Sequence, residues 1–313
     1  MNRIADGYGA EADESACSAG PPPGGTAVPP AMPGTPHRHR APAPDQGGWQ
    51  ATLRLGFARR RGRSLVVARQ HEGPLRIQRA FHPEGDDVCH VYLLHPPAGI
   101  VAGDRLSVDL EVGADSHALV TTPGATRWYD ARGRAEARLE QRSSVAAGAC
   151  LEWLPQESIF FDGAAARQST RFALDEGARL IAWEITGLGR PAAAEPYARG
   201  RLDLRLELEQ GGRPRLLERQ RTWAGRLPGL RGAAAIGQLV CTPSDDAMLE
   251  SVRRRLEGFA HARFGVTRID DLLVARALAH HCEPIALAWR AVWETLRPAA
   301  LGRPASAPRI WRT

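Results

Sequence analysis

From Trp49 onward, apolar and polar positions alternate in short runs separated by Gly, Pro or charged turns. ATLRLGF at 51–57 alternates, SLVVA at 64–68 is apolar and β-branched, PLRIQRA at 74–80 alternates again, and VCHVYLLH at 88–95 is strand-like throughout. Leu106, Val108, Leu110 and Val112 sit two apart with polar residues between them, the period of a half-buried strand. RLDLRLELE at 201–209 and PRLLERQRT at 214–222 flank a Gly-Gly-Arg turn and predict a hairpin, and IGQLVC at 236–241 predicts a further strand. Strand-like runs at about ten-residue spacing are the signature of an all-β architecture.

A weak repeat lies within this pattern. GADSHALVTTPG, GACLEWLPQES and GARLIAWEITG begin at Gly113, Gly148 and Gly177, and each holds a Gly-Ala turn, an apolar strand and a polar turn. Units of this kind bury a continuous core by stacking on their neighbours. Stacking would bring Thr122 or Thr126, Gln156 or Glu157, and Glu184 or Thr186 to one side. The spacings, 35 and then 29 residues, are too uneven for a strict solenoid and favour a two-sheet sandwich with β-helical character. Two helices are predicted near the end. Thr242-Pro243 introduces the first, about 244–258, with Asp245 and Asp246 at its positive end and Arg253 to Arg255 at the other. The second, about 283–297, carries Leu287, Trp289, Val292, Trp293 and Leu296, an apolar surface suited to the core or to a partner's groove.

Residues 1–46 read as a disordered extension ahead of a domain covering 47–313. Nine of the 24 prolines fall between Pro21 and Pro44, and the Gly, Ala and Ser around them cannot form a core. His37 and His39 form an isolated His-x-His in that tail, weak as a metal site. All 41 basic residues are Arg, and the formal charge is +6. The arginines are dispersed along alternating strands opposite Asp and Glu, so a nucleic-acid surface is not indicated. Arg59-Arg60-Arg61-Gly-Arg63 reads as a solvated turn and not as a phosphate-binding patch. The five cysteines, Cys17, Cys89, Cys150, Cys241 and Cys282, are widely spaced with no CxxC, which fits reduced thiols. Cys150 lies in an apolar strand and is expected in the core. The N-terminus lacks a signal-peptide pattern and no stretch approaches a membrane span, so a soluble, cytoplasmic protein is expected.

Motifs for catalysis are missing: no GxSxG elbow, Walker loop, dinucleotide fingerprint or HExxH occurs. His280-His281-Cys282 tempts as a metal cluster, but neighbours in sequence point in different directions, and a polar loop before a helix is the simpler reading. Single carboxylates in apolar strands carry more interest. A carboxylate there either faces solvent or is buried and needs a partner. Glu152, between Leu151 and Trp153, is expected on a solvent face. Glu184, in LIAWEITGL, is flanked by apolar residues on both faces and divides evenly between a functional cavity and the bland alternative. Glu218 follows Leu216-Leu217.

HPPAGIVAGDRL at 95–106, TTPGATRWY at 121–129, LEWLPQESIFFDGA at 151–164, GLGRP at 187–191 and the terminal PRIW at 308–311 together resemble the urease accessory protein UreD family, called UreH in some bacteria. The likeness runs in order from about Gly48 to the C-terminus. It implies a mainly β fold and a non-enzymatic nickel metallochaperone scaffold that acts with UreF and the GTPase UreG on apo-urease. It also implies a water-filled passage for Ni2+ in transit, with no tightly bound cofactor. On that basis Asp104, in AGD, Thr126, in PGAT, Glu184, after Ala-Trp, and Glu218, after the paired leucines, become the expected path. The helical region with Trp289 and Trp293 becomes the expected contact for UreF. Ala98 and Ala102 stand where the family's motif has glycine, which matters only if the turn needs a positive φ.

Weak oxygen donors suit a conduit. With association near ~10⁷ M⁻¹ s⁻¹, nanomolar affinity implies release on the order of 10⁻² s⁻¹, and several such sites in series would stall an ion. Two rival readings remain: a β-helical hydrolase or lyase using a carboxylate such as Glu184, and a plain adaptor without a conduit.

Overall fold

The computed structural model describes residues 47–223 and 229–312. The expected extension 1–46, with His37 and His39, lies outside the described residues. The chain first lays down β1 (Gln50–Arg60), β2 (Arg63–Glu72), β3 (Arg76–Ile77), β4 (Val88–Leu94), β5 (Arg105–Val112) and β6 (His117–Thr121). Next come β7 (Thr126–Trp128), β8 (Ala137–Val145), β9 (Cys150–Leu154), β10 (Ser158–Phe160), β11 (Ala165–Leu174) and β12 (Arg179–Leu188). The hairpin β13 (Arg201–Gln210) and β14 (Arg213–Trp223) precedes β15 (Ala235–Thr242) and α1 (Asp246–Leu256). A second hairpin, β16 (Ala262–Ile269) and β17 (Leu272–Ala279), leads into α2 (Cys282–Leu301).

The strands form two sheets, so the expected two-sheet β fold with β-helical character is what the chain adopts. The first sheet has the order β14-β13-β11-β8-β5-β1-β2; the second runs β16-β17-β15-β12-β9-β6-β4-β3, with β7 and β10 attached beside β12. Between β4 and β13 the chain passes back and forth between the sheets. Neighbours laid down this way are parallel: β5, β8, β11 and β13 in one sheet, and β4, β6, β9 and β12 in the other. The Gly-Ala repeat is the sequence trace of this winding, because the strands after Gly113, Gly148 and Gly177 are the adjacent β6, β9 and β12. At Gly148 the turn needs φ +72°, and a Cβ there would stand 2.4 Å from Asp115 Oδ1, so glycine fits where other residues would not.

Between the sheets lies one core, built from inward positions such as Leu53, Leu55, Val108, Leu110, Phe172 and Leu180. The second sheet is covered on its other face by α1 and α2, giving a separate core that includes Ile181, Trp183, Leu239, Trp289 and Trp293. Helix α2 reaches the sheet closely because Gly237 has no side chain; a Cβ there would meet Ile285 Cγ2 at 2.4 Å. The two helices fall near their predicted ranges. Asp245 caps α1 by accepting from Met248 N. Helix α2 continues past Arg297 through Pro298 and stops at Gly302, whose left-handed conformation lets its N–H reach Pro298 O. Trp289 and Trp293 are fully buried in this second core, so the expectation that they face a partner is corrected.

Other expectations meet the structure unevenly. PLRIQRA forms only the two-residue β3. The β16–β17 hairpin is an element that the strand pattern above did not include. Arg61, at φ +51°, and Gly62, at φ +80°, form the turn between β1 and β2, so the arginine run is an exposed hairpin tip. Cys150 is buried, as expected of a core strand. Of the two alanines standing for glycine, Ala98 does sit in the left-handed region, at φ +64°. An L-residue there is strained by about 1–2 kcal/mol, and Gly repays part of that gain as unfolded-state entropy. Ala98→Gly is therefore expected to stabilise the protein by roughly 0.5–1 kcal/mol in urea unfolding; an unchanged or lower midpoint would contradict the strain.

Candidate functional site

Inward positions of a sandwich strand are normally apolar. Here several strands break that rule at the same depth. In the first sheet, Gln141 of β8 pairs with Thr170 of β11, Thr170 with Leu206 of β13, and Leu206 with Glu218 of β14. In the second sheet, Glu184 of β12 pairs with Gln238 of β15, and Gln238 with Arg276 of β17. A polar seam thus crosses the space between the sheets, bounded along the strands by Leu180, Ala182, Val240, Val274 and Phe172.

Side-chain contacts tie the seam together. Thr170 Oγ1 donates to Glu184 Oε1, Gln168 Nε2 donates to the same oxygen at 3.3 Å, and Ser158 Oγ donates to Gln168 Oε1 at 3.2 Å. Gln238 Nε2 and Arg276 Nη2 donate to the two oxygens of Glu218. Ser158 also aligns with Thr126 of β7 and Thr186 of β12, so the strand ends expected to gather on one side do so.

Two cavities of about 340 Å³ each open along the seam. The first is walled by Thr122, Thr126, Gln156, Gln168, His95 and Glu184, among others. The second is walled by Glu184, Thr186, Glu218, Gln238 and Arg276. Glu184 belongs to both walls. Water-sized space reaches it from within while protein surrounds it, and this burial pushes its carboxyl up to about 7, against the hydrogen bonds from Thr170 and Gln168. His95 Nε2 and Trp153 Nε1 are buried without a protein partner, and both residues line the first cavity. Unpaired buried donors or acceptors are costly. Burial also lowers the His95 imidazole from its usual value.

Of the four expected path residues, Thr126 and Glu184 line the first cavity and Glu184 and Glu218 the second, whereas Asp104 belongs to neither wall. Asp104 is fully buried; its Oδ1 accepts from Trp49 N at 2.7 Å and its Oδ2 from Val101 N at 2.8 Å. Burial raises its carboxyl despite those two amides and the nearby Arg134. It clamps the turn whose residues Ala98, Gly99 and Ile100 form part of the first cavity's wall. Gln141, Gln168, Thr170, Gln238 and His95 are site residues that the motif reading missed. Their signal was present: each of the first four is a polar residue at the inward phase of an alternating strand.

Glu152 is a correction. It lies on the outer face of β9, and because α2 covers that face, Glu152 is fully buried. Arg297 donates to it from Nε at 3.0 Å and from Nη2 at 3.0 Å, His117 Nε2 lies at 2.7 Å, and Trp293 Nε1 donates at 2.5 Å. Arg297 also donates to Glu84, at 2.6 Å from Nη1 and 2.8 Å from Nη2. Burial alone would raise the Glu152 carboxyl, but His117 and Arg297 outweigh it and hold it at about 2. This is a structural cluster beneath the helix, separate from the seam.

Among the described residues, no group of three or more His, Cys, Asp or Glu is placed to hold a metal ion. His280 and His281 are exposed at the start of α2, while burial pushes the Cys282 thiol up to about 12. A larger hollow of about 710 Å³ beside Tyr129 and Arg199 is rimmed by carboxylates already paired with arginine, such as Asp162 with Arg199 at 2.9 Å.

The fold and the seam define a class: parallel-wound, two-sheet β proteins with a row of polar side chains between the sheets. Known proteins give that class a family. The family profile described as UreD urease accessory protein matches residues 50–312. The Urease accessory protein UreD of Pseudomonas entomophila strain L48 is 47% identical over 266 residues, covering 85% of this chain and 95% of that relative. The proteins of the same name from Citrobacter koseri and Dechloromonas aromatica are each 43% identical, across 85% of this chain and 92% and 95% of their own lengths. The chain belongs to the UreD urease accessory protein family. No helix among the described residues is long and apolar enough to cross a membrane.

Proposed function

We propose that this protein is a non-enzymatic scaffold in urease maturation, passing Ni2+ along the seam toward apo-urease while held in a cytoplasmic complex with UreF and, through UreF, UreG. One observation carries the reading: two cavities between the sheets share Glu184 in their walls, and hydrogen-bonded polar side chains from both sheets line up beside it. Nickel is cargo here. Thr126, Glu184 and Glu218 offer single hydroxyl or carboxylate oxygens with water completing the shell, a donor set that releases a borderline cation readily. Asp104 acts as a positioning residue, fixing the turn that shapes the first cavity. The hydrolase alternative is less well supported, because Glu184 is the single carboxylate on the first cavity's wall and a paired acid is lacking there.

The test is Glu184→Leu, which removes the carboxylate and narrows the junction without adding charge. Urease activity in cells carrying this variant is expected to fall at least tenfold at limiting nickel, while pulldown of urease and UreF is retained. Full activation with the complex intact would leave a plain adaptor as the better reading.

A further inference from the structure

Dispersed in the sequence, the arginines of the first sheet are gathered by its winding. Each of the parallel strands β5, β8, β11 and β13 carries an arginine among its first three residues: Arg105, Arg138, Arg167 and Arg201. The register sets Arg105 beside Arg138 and Arg138 beside Arg167, and continues through Asp203 of β13 to Arg221 of β14. Their chain neighbours Leu106, Leu139, Ala166 and Leu202 belong to the core between the sheets, so the row lies on the outer face. Both helices pack on the second sheet, and among the described residues no helix covers this one.

Like charges side by side on neighbouring strands are destabilising, and acids are scarce here. Glu136 lies 3.3, 3.5 and 3.9 Å from Arg138, Arg167 and Arg201. Asp203 lies 2.7, 3.3 and 3.6 Å from Arg219, Arg205 and Arg167. Two carboxylates thus serve five guanidiniums, and Glu140, two residues along β8 from Arg138, is engaged by Arg142. Arg221 lies over the Trp223 ring at 5.2 Å, and the Arg105 side chain has no hydrogen-bond or ion-pair partner among the described residues. The loops beside Arg201 do not redress the balance, since they bring Arg132, Arg134 and Arg199 against Asp130 and Asp162.

We propose that this arginine row is a docking site for an extended, carboxylate-rich segment of a partner protein. A surface of one sign draws the opposite charge. From Arg105 to Arg221 the row crosses five strands, about 19 Å at the usual strand spacing, which an extended segment of roughly six residues spans. Arg105 and Arg221 have no carboxylate of their own and are the guanidiniums such a segment would take first. A nucleic-acid strand fits less well, because its bases need aromatic platforms, and Trp223 at the end of the row is covered by Arg221. The site lies on the outer face of the sheet and stands independently of the conduit reading.

Titration calorimetry of hexaglutamate into the full chain at low salt tests the site. The wild type is expected to bind at least fivefold more tightly than Arg105→Ser with Arg138→Ser. Arg142→Ser with Arg171→Ser removes equal charge from the same face outside the row, and is expected to stay within twofold of the wild type. Equal weakening by the two pairs, or no weakening by the first, overturns the docking site. Hexathymidylate binding the wild type more tightly than hexaglutamate would assign the row to nucleic acid and overturn the protein partner. The urea midpoint of Arg105→Ser is expected to be unchanged or raised, because a like charge beside Arg138 is gone. A lowered midpoint would show that the fold itself uses this arginine, and would overturn its assignment to a partner.

Discussion

Replacing Arg297 with Met is expected to destabilise the protein by about 3–5 kcal/mol, the range for breaking a buried ion pair from one side. The side chain is fully buried and bridges Glu152 and Glu84, so its removal strands two carboxylates beneath α2. For a protein of this size, that corresponds to a fall in melting temperature of roughly 5–9 °C. Arg297→Lys is expected to recover little, since an ammonium cannot reproduce a fork that binds two carboxylates at once. Adding Glu152→Leu to Arg297→Met is expected to restore part of the loss, because an apolar replacement removes one of the unpaired charges. Urea unfolding of the three variants checks this, and an Arg297→Met midpoint close to the wild type would show that the cluster is not anchored as described.

Glu184 gives the second large effect. Its carboxyl titrates near 7 in the folded protein and near 4.5 when unfolded, so the folded state holds the extra proton between those values. Its contribution to stability is therefore fully present below about 4.5 and is lost as pH rises toward 7. With cavity water moderating the desolvation, the loss across that window is on the order of 2 kcal/mol. Glu184→Gln keeps the shape and cannot ionise. Relative to the wild type, its stability is expected to improve by that amount between pH 5 and pH 7.5. Parallel urea curves for the two proteins at both pH values would refute a neutral, desolvated carboxyl at the junction.

Much of the fold could be read in advance because winding leaves a repeat. Each Gly-Ala turn returns the chain to the same sheet one strand further on, and alternation reports which residues face the interlayer. Where these cues failed, a second layer intervened. Glu152 alternates correctly, but its outer face meets α2 and not solvent. Trp289 and Trp293 likewise form an apolar stripe whose partner is the chain's own sheet. The β16–β17 hairpin has an alternating first strand and an Asp270-Asp271 turn, with Asp270 at φ +53°, yet its apolar second strand reads equally well as the approach to a helix. For the site, motif resemblance singled out the carboxylates and missed the amides and hydroxyls beside them. Those neutral groups hold back the rise that burial imposes on the Glu184 carboxyl, and they appear only as polar residues at inward phase.

The bridge between Arg297 and its two acids also bears on biogenesis. Glu84 and Glu152 precede Arg297 by 213 and 145 residues. At bacterial elongation speeds of about 10–20 residues per second, the ribosome needs roughly 10–20 s to supply the cation that the earlier acid awaits. Until α2 is made, the strands of the second sheet already synthesised have no helix to cover their outer face, an adhesive surface on a nascent chain. Slow decoding in the last third of the message would lengthen this exposure, making the yield of native protein sensitive to codon choice there.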